Sequence, residues 1–141
     1  MHSMQTDFFD AHQRHLDDAE HLYALDRWAN ADHLYGLAGE CGLKRLMLSF
    51  GMPFDHAQDR PKSSRDRKHI DHIWSCYESY RSGHHQGAAY LLPTGDPFQD
   101  WEITQRYANR ASFDAGRINQ HRAGAKAVQE LVIRAKRDGL L

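Results

Sequence analysis

Arg67-Lys68-His69-Ile70-Asp71-His72 sets an arginine and a histidine with four residues between them. The pair suits phosphodiester chemistry. A histidine ionises near neutral pH and can take the proton of a 2′-hydroxyl that attacks the adjacent phosphate. A guanidinium offers a fork of donors to the charge that develops on phosphorus. On a continuous helix Arg67 and His72 point ~140° apart, so they flank one phosphate only if the helix begins between them or two copies meet. Arg117-Ile118-Asn119-Gln120-His121 is the competing pair. Four positions apart, its two side chains share a helix face. His121 also lies on an apolar stripe, where a packed, hydrogen-bonded core histidine is the plain alternative. With 11 histidines in the chain, such pairings also arise by chance, and a solvated basic helix start is the plain reading of Arg67 and His72.

Glu40 stands in an apolar stretch, and a buried carboxylate needs a partner. Lys44, four residues on, is the local one, and Arg106 or Arg117 could be the tertiary one. A structural Glu40–Lys44 ion pair is therefore expected, with orientation of a catalytic arginine as its functional version. From Arg106 to Lys126 there are five basic residues (Arg106, Arg110, Arg117, Arg122, Lys126) and one acid, Asp114. Trp101 and Tyr107 are nearby and could stack on unpaired bases. Arg106, Tyr107, Arg110 and Arg122 are thus candidates for RNA binding. Asp7, Asp10, Asp17, Asp18, Glu20 and Asp26 make the first helix acidic. Either the basic side meets RNA, or the acidic and basic sides of two subunits meet.

Asp18-x-x-His21 and Asp66-x-x-His69 match a carboxylate–histidine spacing found in metal-binding helical bundles, with Glu40 and Glu130 as added carboxylates. His12-x-x-His15 and His69-x-x-His72 could chelate as well. Against this, Asp18 and His21 fall beside their helix's apolar stripe, and the di-iron pattern uses glutamate. No metal and no cofactor are expected. Cys41 and Cys76 read as small hydrophobes without an activating neighbour.

The elements that must position these residues are helical. Phe9, His12, Leu16, Ala19 and Tyr23 form one stripe on a helix over residues 7–27. Residues 28–50 are apolar over more than one stripe, which predicts a central helix. Its Gly36, Gly39 and Gly42 each cost ~1 kcal/mol of helix propensity, so close approach of a neighbouring backbone is expected. A loop spans 51–65, and a third helix covers 66–82 with Ile70, Ile73, Trp74, Tyr77 and Tyr80 inward. Residues 83–113 are irregular, with a turn or two at GAAYLL and an extended, docked segment carrying Trp101, Ile103 and Tyr107. Asp114 or Ser112 caps a last helix over 115–138, which Gly139 ends.

The chain has 141 residues, 40% of them hydrophobic and 26% charged, which predicts one domain over 1–141 and an all-α fold with a long loop before the last helix. A formal net charge of −1 does not announce a strongly basic nucleic-acid binder. No apolar run approaches the ~20 residues of a membrane span. Met1 to Asp7 lacks the basic start and apolar stretch of a secretory leader. Two cysteines define no disulfide scaffold, and a reducing cytoplasm is the expected location.

Ala31-Asp32-His33-Leu34-Tyr35-Gly36-Leu37-Ala38-Gly39-Glu40-Cys41-Gly42-Leu43-Lys44 resembles the second helix of HEPN domains. Arg106-Tyr107 before a long alanine-rich helix that ends near Lys136 resembles a pair found in that family, and helix order and length agree over most of the chain. The resemblance implies a four- to five-helix up-and-down bundle that commonly pairs as a homodimer. It implies a role on RNA in a defence or toxin–antitoxin type system, beside an antitoxin or nucleotidyltransferase partner. Many members are metal-independent ribonucleases marked by an arginine, four to six residues, then a histidine. Arg67 and His72 keep that spacing away from the family's usual place. Arg117 and His121 have only three residues between them, in a better place. Members without the signature act as binding or scaffold modules, so a protein–protein interaction module is the alternative.

Overall fold

A computed structural model describes residues 4–141. The stretch read for a leader begins on residues 1–3, outside the described residues. The described residues are mostly helical, with four α-helices among them: α1 (Phe8–Ala24), α2 (Trp28–Ser49), α3 (Ile70–Ser82) and α4 (Ala115–Arg137). Asp7 caps α1 by accepting from the Asp10 amide at 3.0 Å, and Asp114 caps α4 by accepting from the Arg117 amide at 2.9 Å. At the end of α4, Gly139 takes φ +75°. The Leu140 amide then reaches back to the Ala135 carbonyl at 2.8 Å, which satisfies a terminal carbonyl and folds Leu140 onto the core.

Three residues join α1 to α2, with Asp26 at φ +57° in the turn, so the two pack back along one another as a helical hairpin. Helix α2 also packs on α3 and α4. Ala31, Tyr35, Ala38, Leu43, Leu46 and Met47 on it are buried toward these neighbours, which is why its apolar positions exceed one stripe.

The region 51–65 contains a two-stranded antiparallel hairpin, β1 (Phe54–Asp55) with β2 (Arg60–Pro61), that pairs Phe54 with Pro61. The third helix does not start at 66. Ser64–Arg67 is a 3-10 turn, Lys68 and His69 are extended, and α3 begins at Ile70. Trp101 is buried, but Ile103–Tyr107 is a 3-10 turn rather than an extended segment. The three glycines of α2 admit side chains, not a backbone. A Cβ on Gly36 would overlap the Trp101 ring, one on Gly39 would lie 3.3 Å from Ile70 Cδ1, and one on Gly42 would lie 2.5 Å from Val128 Cγ1. Among the described residues no helix is long and apolar enough to cross a membrane.

Candidate functional site

Trp101 is the joint of the site. Its ring sits over Gly36, and its indole N–H donates to the Asp32 carbonyl at 3.2 Å. On one side lies a buried clamp. His121 donates from Nδ1 to Asp32 at 2.6 Å and from Nε2 to Asp100 at 2.7 Å. Gln105 donates to the other Asp32 oxygen at 2.7 Å. Arg117 reaches Asp32 at 3.5 Å, Asp100 Oδ2 at 3.3 Å and the Gln105 side-chain oxygen at 2.7 Å. Asp32 and Asp100 thus share His121 and Arg117 between them. Arg117 and His121 do meet, as their spacing on one helical face predicts. However, His121 is fully buried and has no free nitrogen, so it holds the 97–105 segment to α2 and α4 and is not placed to accept a substrate proton.

On the other side of Trp101 lies a half-buried histidine cluster. Glu40 is 8% exposed. It accepts from Lys44 Nζ at 2.8 Å and from His69 Nδ1 at 2.8 Å. The ion pair with Lys44 is present, but the tertiary partner is His69, not Arg106 or Arg117. Helix α3 starting at Ile70 is what brings His69, its N-terminal cap position, to α2. Burial works to raise the Glu40 pKa, but the hydrogen bonds and charges of His69 and Lys44 outweigh it and hold the carboxyl below its ordinary value. The same hydrogen bond from His69 to Glu40 raises His69, whose side chain is 42% exposed. His33 stacks on Trp101 with centroids 5.2 Å apart and planes at 20°, and His69 lies 6.3 Å from that ring. Burial first, then the positive fields of Arg106, His69 and His15, lower the His33 pKa, with Asp32 opposing. Its Nδ1 is buried without a hydrogen-bond partner.

Beyond this cluster the surface is basic and aromatic. Tyr107 is 76% exposed, with the Arg106 guanidinium 4.9 Å from its ring centre. Arg110 is exposed three residues after Tyr107, in the next 3-10 turn. Arg122 is not part of this face. It pairs with Glu20 through two guanidinium nitrogens at 2.9 and 3.1 Å and lies over the Tyr23 ring. Lys126 meets Glu20 too, at 3.2 Å. The acidic first helix and part of the basic tail therefore neutralise each other within one chain, an arrangement the sequence reading did not weigh. Trp101 is buried and cannot stack on a base.

The helix does begin between Arg67 and His72. The Arg67 guanidinium is held by the Pro61 carbonyl at 3.3 Å, while His72 is exposed beside Asp71 and lines a shallow cavity with Arg65, Lys68, Ser75, Cys76 and Ser79 that Arg67 does not reach. No group of three or more histidine, cysteine or carboxylate side chains able to hold a metal occurs among the described residues. Asp66 is buried and is held instead by Tyr80 at 2.5 Å and the Cys76 thiol at 3.2 Å. Burial, with Asp66 nearby, pushes Cys76 up to about 11, and burial, with Glu40 nearby, pushes Cys41 up to about 12, so neither thiol is activated.

Sequence reading missed Asp32, Asp100, Gln105, His33 and, as a partner of Glu40, His69. Asp32 within an apolar helix carried the same flag as Glu40. His33 lies on the same helix, next to Asp32, while Asp100, Gln105 and His69 lie in turn, 3-10 or extended stretches whose periodicity says nothing of direction. Comparison with protein families, curated proteins and solved structures gave no match.

Proposed function

We propose that the chain is a HEPN-like domain, an up-and-down helical bundle, that binds RNA in a defence or toxin–antitoxin type system of the cytoplasm. The exposed Arg106–Tyr107 pair carries this reading. A cation and an open aromatic face side by side are what an unpaired base and its phosphate need, and Arg110 extends the positive edge. The buried clamp of Asp32, His121, Asp100 and Arg117 supports the reading in another way, since it fixes the segment that presents these groups. His121 acts as a brace, so any cleavage draws its proton acceptor from elsewhere.

Fluorescence anisotropy with a labelled single-stranded RNA tests the proposal. The wild type should bind with an affinity that falls steeply as salt rises. Tyr107→Ala should weaken it about 5- to 100-fold, the loss of one stacked base, with an unchanged melting temperature. Cleavage of the same RNA in the presence of a chelator would assign the ribonuclease form of the role. Absence of binding at low salt refutes the reading.

A second reading rests on the α1–α4 groove. Phe9, Leu16, Val132 and the exposed Ile133 line it, with Asp17 toward one wall and Lys136 and Arg137 toward the other. Both signs of charge in one apolar groove suit a second copy of the chain about a two-fold axis, as an interaction module would use it. Sedimentation at several concentrations separates monomer from dimer.

A further inference from the structure

The cluster beside Trp101 holds more positive character than its neighbours consume. Lys44 alone balances the charge of Glu40. His69 gives its Nδ1 proton to Glu40, and its Nε2, on the far edge of the ring, is left over. His33 stacks on the same indole and has a buried nitrogen with no partner. Arg106 stands close enough to oppose protonation of His33, as do His69 and His15. These groups come from several elements: His15 from α1, His33 and Lys44 from α2, His69 before α3, and Arg106 from the 3-10 turn at Ile103–Tyr107, while the α4 groups Arg117 and His121 on the other side of the indole are taken up by Asp32 and Asp100. The anionic ones are Asp32, committed to the buried clamp, Glu40, already paired, and Asp71, whose field favours protonated His69 and which lies 3.6 Å from His72. Positive groups that oppose one another around ring nitrogens without partners are what an incoming oxyanion relieves.

We propose that His33, His69 and Arg106 form a phosphate-binding subsite, and that a phosphate group binding there takes up protons onto the two histidines. The guanidinium supplies a planar pair of donors and the imidazolium Nε2–H of His69 a third. Glu40 positions His69 by fixing which nitrogen faces outward. The phosphate comes from an RNA backbone or from free phosphate. This deepens the RNA-binding reading by naming where a phosphate sits, and inorganic phosphate tests it independently of that reading.

The experiment is a pH titration of the histidine ring nitrogens by NMR on the whole chain, with inorganic phosphate and with chloride at equal ionic strength. The expected result is a rise of roughly half a pKa unit or more at His33 and His69 in phosphate, absent from Arg106→Ala, with His56 and His85 on the open surface unmoved. Glu40→Gln should shrink the His69 response while leaving that of His33. A short single-stranded RNA giving the same rise identifies the backbone as the source. A rise with inorganic phosphate alone keeps the subsite and assigns it to free phosphate. Equal shifts at all exposed histidines, or none at His33 and His69, overturn the proposal, even if the RNA still binds at Tyr107.

Discussion

Glu40 accepts from two cationic partners at 2.8 Å each while almost out of water. Removing it leaves Lys44 buried without a counter-charge. Glu40→Ala should therefore cost roughly 2–4 kcal/mol of stability, and Glu40→Gln less, since one acceptor remains. Urea denaturation of both variants checks this, and equal midpoints for wild type and both variants would contradict it. Need for a partner was legible in the sequence because Glu40 interrupts an apolar run. The identity of His69 was not, because it depends on where α3 starts, and the break at Lys68 and His69 leaves no trace in the hydrophobic spacing.

His12 makes a second residue-scale prediction. It is buried, donates from Nδ1 to the Ala38 carbonyl at 2.8 Å, and has its pKa lowered from 6.5 by burial, against that hydrogen bond and Asp17. The unfolded chain therefore takes up a proton near pH 6.5 that the folded chain refuses, and folding loses stability as pH falls below that value. His15 and His33 are lowered in the same direction, while His69 is raised and opposes them, its contribution being lost as pH rises through its folded pKa. His12→Gln should flatten the fall in stability between about pH 6.5 and pH 5 without removing it. Denaturant midpoints across that range measure the slope, and identical slopes would contradict the assignment.

At the scale of elements, α2 works because small residues let large ones reach its axis. The spacing of Gly36, Gly39 and Gly42 showed that something approaches closely. That the visitors are Trp101, Phe98, Ile70, Val128 and His12 came from the fold, since these belong to α1, α3, α4 and the long connection. Gly36→Ala should destabilise by about 3 kcal/mol, because the methyl meets a rigid, buried indole that cannot turn aside. Gly39→Ala meets its neighbours at 3.3–3.4 Å and should stay within about 1 kcal/mol of wild type, the gain in helix propensity offsetting the crowding. Thermal melts of the two rank them, and the reverse order would contradict the packing. Helices α1, α2 and α4 were readable from their apolar positions, and α4 also from its caps Asp114 and Gly139. The stretch 83–113 was not, since its 3-10 turns carry no sustained period.

For the whole molecule, charge is sorted rather than spread. Glu20 draws Arg122 and Lys126 back onto α1, leaving Arg106 and Arg110 with Tyr107 as the open positive face. A formal charge of −1 conceals such a face, and the sequence alone could not show which arginines were spoken for. Burying Trp101 beneath that face joins it to the histidine cluster and to the clamp, so that one indole organises the site from three sides. The most direct test of RNA binding at this face is hydrogen–deuterium exchange of the chain with and without single-stranded RNA. Protection should appear over residues 101–110 and around His33 and His69, with the α1–α4 groove unchanged. Protection confined to that groove, or to none of the chain at saturating RNA, would contradict the account.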